Sequence, residues 1–549
     1  MTILILTSCT IFLCLLTLFL ALFVAYFRTT LQTYHTINHL SSKADYLHHI
    51  TTNSTNSNLK KPPNIIFILA DDLGYGDLSS YGSTSIHTPH IDALFTNNGL
   101  RHTHFTTTAS VCTPSRASFL TGRYPFRTGL SSIVLFPPHH PVSYLSSTLL
   151  GYPQGLLSDE ITIADVLSAK GYFTSYIGKW HLGAVPGSFP NDFGYHSFFG
   201  SLYSNDMAPF ELWRNSTVNV SSSELNQSHL SQLYAHEMTR QLQTMHVKKT
   251  TPFFLTYAPN APHAPLHSSS RGKSKGGLYG DVVEDMDRSV GVLMAELKKM
   301  GTHVVNNTLV LFSSDNGPWF QGDAGNSRGR KATSFDGGYR VPLIVNWPKR
   351  KRNQNRNRMN NNNGTTCNTS GVIINQPVHS VDLFATILSV ADVSLPSDRM
   401  IDGVDQSRLW FSNIDEDEDE EDDEDEDDED DDDDEDDDDA KASAAINDDE
   451  RMFPYFVQNT LVAARFGQRW KLHLPHMIDV SELVRRRPMA REEREKERKK
   501  GWMWLIDLTH DSKECYDVSV KYPLIAERLY QRVVEWERVR VKSQRGWLL

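Results

Sequence analysis

The sequence predicts an α/β fold: a large, mixed, mostly parallel sheet flanked by helices, followed by a smaller C-terminal antiparallel sheet with a helix. Two observations predict the large sheet. Short apolar runs that fit buried strands recur along the chain, and amphipathic helical patterns lie between them. Strands that alternate with helices form mainly parallel sheets covered on both faces. A chain of 549 residues suffices for one large domain and a smaller one.

Four apolar runs are typical of buried strands. They are Ile65–Leu69, Tyr172–Ile177, Phe253–Tyr257 and Leu309–Phe312. Apolar residues at three- and four-residue spacing predict two of the helices, one with Ile163, Val166 and Leu167, the other with Val283, Met286, Val290, Leu293 and Leu297.

The last hundred residues predict the smaller subdomain. Leu461–Leu474 suggests a hairpin, and Met503–Leu508 suggests a further strand. Pro523–Val541 has the apolar spacing of a helix. We therefore expect a small antiparallel sheet with one helix from about residue 446 onward.

Composition divides the chain into segments. We predict a signal-anchor or signal peptide at 1–27, a polar stalk at 28–61, a catalytic domain at 62–410 and a C-terminal subdomain at 446–549. Residues 349–370 are a low-complexity insertion in the catalytic domain, and 411–445 are an acidic insertion that cannot be buried and is expected to be disordered.

The N-terminal segment and the sequons favour the secretory pathway. Ile3–Phe27 is uncharged, almost wholly apolar and long enough to span a bilayer. It predicts a membrane anchor with a lumenal or extracellular catalytic domain, or, if the segment is cleaved, a secreted or lysosomal protein. Seven N-x-S/T sequons predict a glycoprotein: Asn53, Asn215, Asn219, Asn226, Asn306, Asn363 and Asn368.

The charge of the chain is unevenly distributed. The formal net charge is −13, but Asp415–Asp439 is an unbroken run of 25 acidic residues, so the remainder carries +12. A basic body suits an anionic substrate. It would also suit nucleic acid, but the basic stretches contain no nucleic-acid-binding motif, and we expect no such partner.

Cysteine is scarce in this chain. Of five cysteines, Cys9 and Cys14 lie in the apolar N-terminal segment, leaving Cys112, Cys367 and Cys515. This number excludes a disulfide scaffold. The spacing of Cys367 and Cys515 does not require them to pair, so that question stays open.

Polar residues follow each of the four predicted strands, at the edge where open α/β sheets bind ligands. Asp71 and Asp72 follow the first run, and Asp315 and Asn316 the last. Four oxygen ligands favour a hard cation, Ca²⁺ or Mg²⁺, over zinc. Taken alone, either the Asp71-Asp72 pair or the Asp315-Asn316 pair is explained more simply as a turn after a strand than as a metal site. The other two runs lead into cationic or imidazole groups, namely Lys179, His181 and His263.

The strongest local pattern is Cys112-Thr113-Pro114-Ser115-Arg116, which continues to Thr121-Gly122-Arg123. Pro114 suits the first turn of a helix, and Gly122 suits its end. Cys112 would then lie at a helix N-terminus, where the dipole lowers the pKa of a thiol. On these grounds alone, Cys112 is either a thiolate nucleophile or a buried structural cysteine.

The pattern from Cys112 to Arg123 resembles the signature of the sulfatase family (type I, formylglycine-dependent), in which an ER enzyme oxidises the cysteine to formylglycine. The resemblance covers roughly residues 62–410 and resumes near Trp502–Val518. Its order is most similar to that of the arylsulfatase A subgroup. It extends to Asp71-Asp72, Gly178-Lys179-Trp180-His181, Pro262-His263-Ala264-Pro265, Ser314-Asp315-Asn316-Gly317 and Lys331 before Asp336-Gly337-Gly338-Tyr339-Arg340.

The resemblance implies an alkaline-phosphatase-like fold and hydrolysis of small sulfate esters. It implies that Ca²⁺ is bound by Asp71, Asp72, Asp315, Asn316 and the modified Cys112. It further implies that Arg116 steadies the aldehyde hydrate, that His181 acts as a base, and that the sulfate oxygens are held by Lys179, His263 and Lys331. Ser204 lies in a loop that resembles the subgroup's serine-bearing loop, and it is a further candidate for substrate binding. The formylglycine-generating enzyme is the implied partner.

Two other functions compete with this one. A phosphate esterase of the same superfamily would normally carry Ser or Thr where Cys112 stands, together with more His or Asp metal ligands. A membrane-anchored binding protein with an inactive site would lack some site residue, whereas every site position here is filled.

Overall fold

The computed structural model describes residues 40–52, 61–131, 134–247, 251–349, 371–411, 450–457, 459–474, 503–542 and 545. Its strands are β1 Asn64–Ala70, β2 Leu100–His102, β3 Phe105–Thr106, β4 Phe173–Gly178, β5 Ser197–Gly200, β6 Leu212–Arg214, β7 Thr217–Val220, β8 Phe253–Ala258, β9 Thr308–Ser314, β10 Leu343–Asn346, β11 Val372–Ile374, β12 Val378–His379, β13 Met452–Val457, β14 Thr460–Phe466, β15 Trp470–His473 and β16 Trp504–Asp507.

The helices are α1 40–52, α2 Pro89–Thr96, α3 Cys112–Thr121, α4 Pro125–Thr128, α5 Pro141–Leu150, α6 Ile163–Ala169, α7 Leu230–Val247, α8 Gly277–Lys299, α9 Thr302–Asn306, α10 Asp336–Tyr339, α11 Asp382–Val390, α12 Ser407–Phe411 and α13 Pro523–Lys542. Short 3-10 turns occur at Ser79–Tyr81, Pro190–Phe193 and Gln227–His229. The predicted apolar runs are β1, β4, β8 and β9, and the two predicted helices are α6 and α8.

The large sheet has ten strands in the order β11-β2-β10-β9-β1-β8-β4-β5-β6-β7. Its centre, β9-β1-β8-β4-β5, is parallel throughout. Antiparallel pairs flank this centre, β10 with β9 on one side and β6 with β5 on the other. The predicted mixed, mostly parallel sheet is therefore confirmed, and its central strands end at one common edge.

Helices cover both faces of this sheet, as β1 illustrates. Ile65, Phe67 and Leu69 pack into one apolar core together with side chains of α3, α6 and α11. Ile66 and Ile68 pack into a second core with side chains of α7 and α8. Because successive strand residues point to opposite faces, a strand buried on both faces must be apolar at every position. This explains the uninterrupted apolar run of β1.

The smaller sheet is also confirmed. Strands β13-β14-β15-β16 form an antiparallel sheet in sequence order, with β14 and β15 as the predicted hairpin. Helix α13 packs on it through Ile525, Leu529 and Val533, all of which are buried. The C-terminal sheet also contacts the domain of the large sheet, since Tyr339 Oη donates to the carbonyl of Phe456 at 2.8 Å.

Helix α1 lies within the segment predicted as a polar stalk. Ile50 is buried in the main core, and Lys43 Nζ donates to the Glu160 carbonyl at 2.7 Å and lies 3.1 Å from Asp165. Residues 40–52 therefore belong to the fold rather than to a free stalk, because their amphipathic pattern buries one face on the domain of the large sheet.

Several predicted segments lie outside the described residues. They are the apolar segment Ile3–Phe27, almost all of the 349–370 insertion, the acidic run and Cys367. Within the described part of the chain, no helix is long and apolar enough to cross a membrane. Cys515 is exposed and forms no disulfide with another described residue.

Candidate active site

The central strands deliver most of the predicted site residues to one edge of the sheet. Asp71 follows β1, Asp315 follows β9, Lys179 follows β4, and the loop after β8 carries His263. Because these strands are parallel neighbours, their carboxyl ends bring the four side chains together. The fifth strand, β5, leads into the loop that contains Ser204.

The carboxylates form the floor of the site, and all are buried. Asp72 accepts a hydrogen bond from Asn316 Nδ2 at 2.7 Å, and Asp315 Oδ1 accepts one from the Asp72 backbone N–H at 3.2 Å. Burial alone would raise the pKa of Asp71, but the surrounding cations, Lys179 foremost, hold it well below its usual range. Burial raises the pKa of Asp315 to about 6 despite the attraction of Arg116.

Three cationic side chains converge on these carboxylates. Lys179 Nζ lies 2.7 Å from Asp71 Oδ2, and Arg116 Nε donates to Asp315 Oδ2 at 2.8 Å. Lys331 Nζ donates to Asp72 Oδ2 at 2.8 Å. Burial would lower the pKa of Lys179, but Asp71 raises it, so this lysine stays charged. Three positive and three negative side chains therefore face one another with water largely excluded.

Cys112 is the first residue of α3, as predicted, and the helix ends at Gly122 with φ of 68°. Cys112 is 2 % exposed, and its Sγ lies 3.7 Å from Asp71 Oδ1 and 3.4 Å from Lys331 Nζ. The expected lowering of the thiol pKa is wrong. Burial raises the pKa of Cys112 to about 12, because desolvation of a thiolate outweighs the nearby lysines.

The two histidines differ in their surroundings. His263 Nε2 lies 3.6 Å from Asp72 Oδ2, whereas His181 Nε2 contacts the Leu135 carbonyl at 3.0 Å. His181 Nδ1 is buried and has no hydrogen-bond partner among the described residues. Burial lowers the pKa of both imidazoles. His181 is therefore a neutral imidazole, and its Nδ1 is open to a proton or a ligand as far as the described part of the chain shows.

Ser204 lies within the same cluster. Its side chain is 1 % exposed. Lys179 Nζ donates to Ser204 Oγ at 3.2 Å, and His263 Nε2 lies 3.3 Å from the same oxygen. The structure therefore brings this candidate together with two of the residues predicted to hold an anion.

The residues present suit a divalent cation. Donor atoms of Asp71, Asp72, Cys112 and His263 all lie within 4.8 Å of one another. Asn316 Oδ1 is buried and has no hydrogen-bond partner in the described part of the chain. An orphaned amide oxygen beside two carboxylates is the environment that a hard cation would satisfy. His263 joins this group in the structure, while Asp315 adjoins it through Asp72 and Arg116.

Two site residues have unusual backbone conformations. Asp72 and His181 are non-glycine residues with φ of 63° and 58°. Left-handed conformations at such residues persist only when the surroundings enforce them, and they cluster at functional sites. Each lies in the turn that follows a central strand, Asp72 after β1 and His181 after β4, so the strained turn helps to direct its side chain toward the shared edge.

Sequence reasoning missed some supporting residues. Asn205 Oδ1 contacts His263 Nδ1 at 3.1 Å, and Ser115 Oγ donates to the Asp315 carbonyl at 2.5 Å. Both are sequence neighbours of predicted site residues, and this adjacency is the signal that could have identified them. The contact between His181 and the Leu135 carbonyl uses a backbone atom, which no residue type reveals.

Gly178 offers a test of how Lys179 is placed. A Cβ on Gly178 would overlap the carbonyl oxygen of Ala258, which accepts the Lys179 N–H at 2.7 Å, and Gly178 has φ of 116°. We expect Gly178→Ala to lower the free energy of unfolding by about 3 kcal/mol in urea titrations. Gly171 has φ of 94° but open space around it, so Gly171→Ala, the control, should lose only about 1 kcal/mol. Equal losses would contradict the packing argument.

Comparison with known proteins identifies relatives of this chain. The Sulfatase family model matches residues 63–393. The chain is 37 % identical over 377 residues to arylsulfatase A of Bos taurus, in an alignment that covers 63 % of this chain and 68 % of that protein. It is 34 % identical over 370 residues to N-acetylgalactosamine-6-sulfatase of Rattus norvegicus, covering 63 % of this chain and 65 % of that one.

The fold also resembles solved structures. One, from a study of glycosaminoglycan metabolism in Bacteroides thetaiotaomicron, superposes with a TM-score of 0.65 and covers 87 % of this chain and 100 % of that one, at 21 % identity. A likeness at this identity supports the fold alone. The alignments with the curated relatives span about two thirds of their lengths.

Proposed function

Because this chain belongs to the sulfatase family, we propose that it hydrolyses sulfate monoesters to an alcohol and inorganic sulfate. One observation carries the proposal. Cys112 is the first residue of a buried helix, and its Sγ lies between the side chains of Asp71 and Lys331. Carboxylates and cations in equal number surround it. Charges of both signs held in a dry site can bind a metal on one side and an anion on the other.

We propose that the sulfate oxygens are bound by Lys179, His263 and Lys331. Ser204 would form a further hydrogen bond beside them. Lys179 and Lys331 remain charged against their carboxylate partners. Their ammonium groups can neutralise charge that develops on the oxygens as the ester bond breaks. His263 Nδ1 faces the oxygens of Asn205 and Ala264, so Nε2 can donate a hydrogen bond to the same group when the imidazole is protonated.

We assign a Ca²⁺ ion to the site, in preference to Mg²⁺. Its ligands would be Asp71, Asp72, Asp315 and Asn316, together with residue 112 in its modified form. The buried oxygen of Asn316 supports the assignment. A divalent cation at this position supplies Lewis-acid polarisation and extra positive charge. Because the site carries equal numbers of positive and negative side chains, the cation would give it a net positive charge and favour binding of an anion.

We infer that Cys112 is converted to formylglycine. Burial makes the unmodified thiol a weak nucleophile, since it holds the pKa near 12. Formylglycine supplies a hydrated aldehyde, which has one hydroxyl to attack sulfur and a second to expel sulfate. Cys112 is 2 % exposed after folding, so the formylglycine-generating enzyme must act before this domain closes.

The remaining roles concern proton transfer. Arg116 holds Asp315 and lies 3.5 Å from Asp71, and we assign it to steadying residue 112. His181, whose Nδ1 has no hydrogen-bond partner among the residues that the structure describes, is the base that would take a proton when sulfate is released. Lys331 or Asp315 would supply a proton to the departing alcohol.

An aryl sulfate and the matching aryl phosphate separate this function from the phosphate esterase alternative. We expect kcat/KM for p-nitrophenyl sulfate to exceed that for p-nitrophenyl phosphate by at least about 10²-fold, because the site is tuned to one type of ester. A preference for the phosphate would contradict the proposal. Activity on neither ester would favour an inactive, binding role.

We also propose that the catalytic domain lies in the lumen of the secretory pathway, whether the N-terminal segment anchors it or is cleaved. Four sequon asparagines, Asn215, Asn219, Asn226 and Asn306, are exposed. An exposed asparagine leaves room for a glycan at the surface. Peptide masses before and after enzymatic removal of N-glycans test this placement, and unmodified asparagines at all four positions would contradict it.

A further inference from the structure

A buried charge cluster joins the C-terminal subdomain to the catalytic domain. Lys471 Nζ, on β15, lies 2.6 Å from Asp336 Oδ1 and 2.8 Å from Glu514 Oε2. His473 Nε2, on the same strand, lies 2.6 Å from Glu514 Oε2. Lys471, His473 and Glu514 are fully buried. None of these residues has a part in the chemistry proposed above, although burying several charged groups is unfavourable unless they serve one another.

Glu514 contacts both ends of one loop of the catalytic domain. Its Oε1 accepts the backbone N–H of Asp336 at 2.6 Å, and its carbonyl accepts a hydrogen bond from Arg328 Nη1 at 2.9 Å. The two ends are also joined directly, because the Gly337 N–H donates to the Arg328 carbonyl at 2.7 Å. Residues 328–336 thus form a closed loop whose base is held by a residue of the other subdomain.

Lys331 lies within this loop. Its backbone N–H donates to the Pro318 carbonyl, and the N–H of Ala332 donates to the carbonyl of Ser110, both at 2.9 Å. Its Nζ reaches Cys112 Sγ at 3.4 Å. A lysine side chain is flexible, so the position of Nζ depends on how firmly the loop backbone is held.

We propose that Glu514 is a positioning residue of the active site, which fixes the loop 328–336 and through it the ammonium group of Lys331. The inference rests on the proposed sulfatase function and deepens it: the C-terminal subdomain completes the anion site rather than merely adjoining it. The network is charge-matched, since Lys471 and Arg465 face Asp336 and Glu514. Loss of one carboxylate therefore disturbs the whole base of the loop.

A double-mutant cycle tests this role. Glu514→Gln keeps the shape of the side chain but removes its charge. We expect it to lower kcat/KM for p-nitrophenyl sulfate on the order of 10²-fold, since a small misplacement of a binding group has effects of that size. In a Lys331→Ala background the same change should have less than about a twofold effect, because the group that it positions is gone. Equal factors in both backgrounds would overturn the proposal.

A matched control distinguishes positioning from general attachment of the two subdomains. Arg451, in the C-terminal subdomain, lies 2.7 Å from Asp382 of α11, and within the described part of the chain neither residue makes a hydrogen bond or ion pair with the loop 328–336. Arg451→Gln should change kcat/KM by the same small factor with or without Lys331. Thermal unfolding of every variant shows whether stability alone explains the result. If Arg451→Gln reproduces the Glu514→Gln cycle, the proposal fails.

Two further experiments test the role of Glu514 without relying on turnover or on the Glu514→Gln variant alone. Binding of inorganic sulfate, followed by calorimetry, needs no turnover: Lys331→Ala and Glu514→Gln should weaken it, and the double variant should be no weaker than Lys331→Ala alone. If Glu514→Gln does not fold, Arg328→Gln replaces it in the same cycle, because Arg328 is half-buried at the base of the loop. A wild-type protein without sulfatase activity would refute the proposed function, whereas an active wild type with an additive cycle would refute only the role of Glu514.

Discussion

Cys112→Ser is expected to reduce turnover of an aryl sulfate by at least about 10³-fold, because a nucleophile and the machinery around it act as one unit. Serine has one hydroxyl, whereas formylglycine hydrate has two. The serine side chain can attack the ester, but it has no second hydroxyl with which to release sulfate. We therefore expect the variant to accumulate a sulfate ester on the substituted side chain, visible as a sulfo group in the mass of that peptide.

The control for this prediction is Cys515→Ser. Cys515 is exposed and forms no disulfide with another described residue. It lies next to Glu514 in sequence, but in the described part of the chain its Sγ donates to the Lys513 carbonyl rather than to a site residue. Its replacement should leave kcat/KM within about twofold of the wild type, as surface substitutions generally do. Wild-type turnover by Cys112→Ser would refute the nucleophile assignment while leaving the fold untouched.

Removal of the metal is expected to abolish activity. Treatment with a chelator should reduce kcat/KM by at least about 10²-fold, and Ca²⁺ should restore it, because a divalent cation contributes several kcal/mol to stabilising developing charge. Asp72→Asn should reproduce most of the loss without a chelator, since it removes a carboxylate that lies beside Asp71 and Asn316. Metal content measured on the purified variant should fall in parallel.

A matched variant tests whether the loss comes from the metal or from charge removal. Asp77 is another buried carboxylate after β1, but it accepts hydrogen bonds from Gly74 and Tyr279 rather than from the site cations. Burial raises its pKa to about 6, so removal of its charge is less unfavourable there than at Asp71, whose pKa the site cations hold low. Asp77→Asn should keep its metal and most of its activity. Full activity of Asp72→Asn, or unchanged activity after chelation, would contradict the metal assignment.

The large sheet was predictable because buried parallel strands carry an unmistakable pattern. β1 is apolar on both faces, and α8 repeats apolar residues at three- and four-residue spacing from Val283 to Leu297. Residues that follow strands were predictable for the same reason, since the strand direction fixes the edge they reach. Asp71 and Asp315 are examples.

Other features depend on tertiary contacts that no local pattern encodes. The pKa of Cys112 is governed by burial among groups far apart in the chain, and this outweighed the helix dipole on which the sequence argument relied. Helix α1 looked like a polar linker because only a few of its residues, such as Ile50, are buried. Glu514 sits 178 positions from Asp336, its hydrogen-bond partner, and nothing in either local sequence pairs them.

The central claim is that an aldehyde made from Cys112 performs the reaction. The most direct measurement is the mass of the peptide that contains residue 112, taken together with the specific activity toward p-nitrophenyl sulfate. Preparations made with and without the formylglycine-generating enzyme should span a range of conversion. We expect specific activity to rise in proportion to the fraction carrying the aldehyde mass and to extrapolate to zero at no conversion. A fully active preparation in which Cys112 keeps the mass of an unmodified cysteine would contradict it.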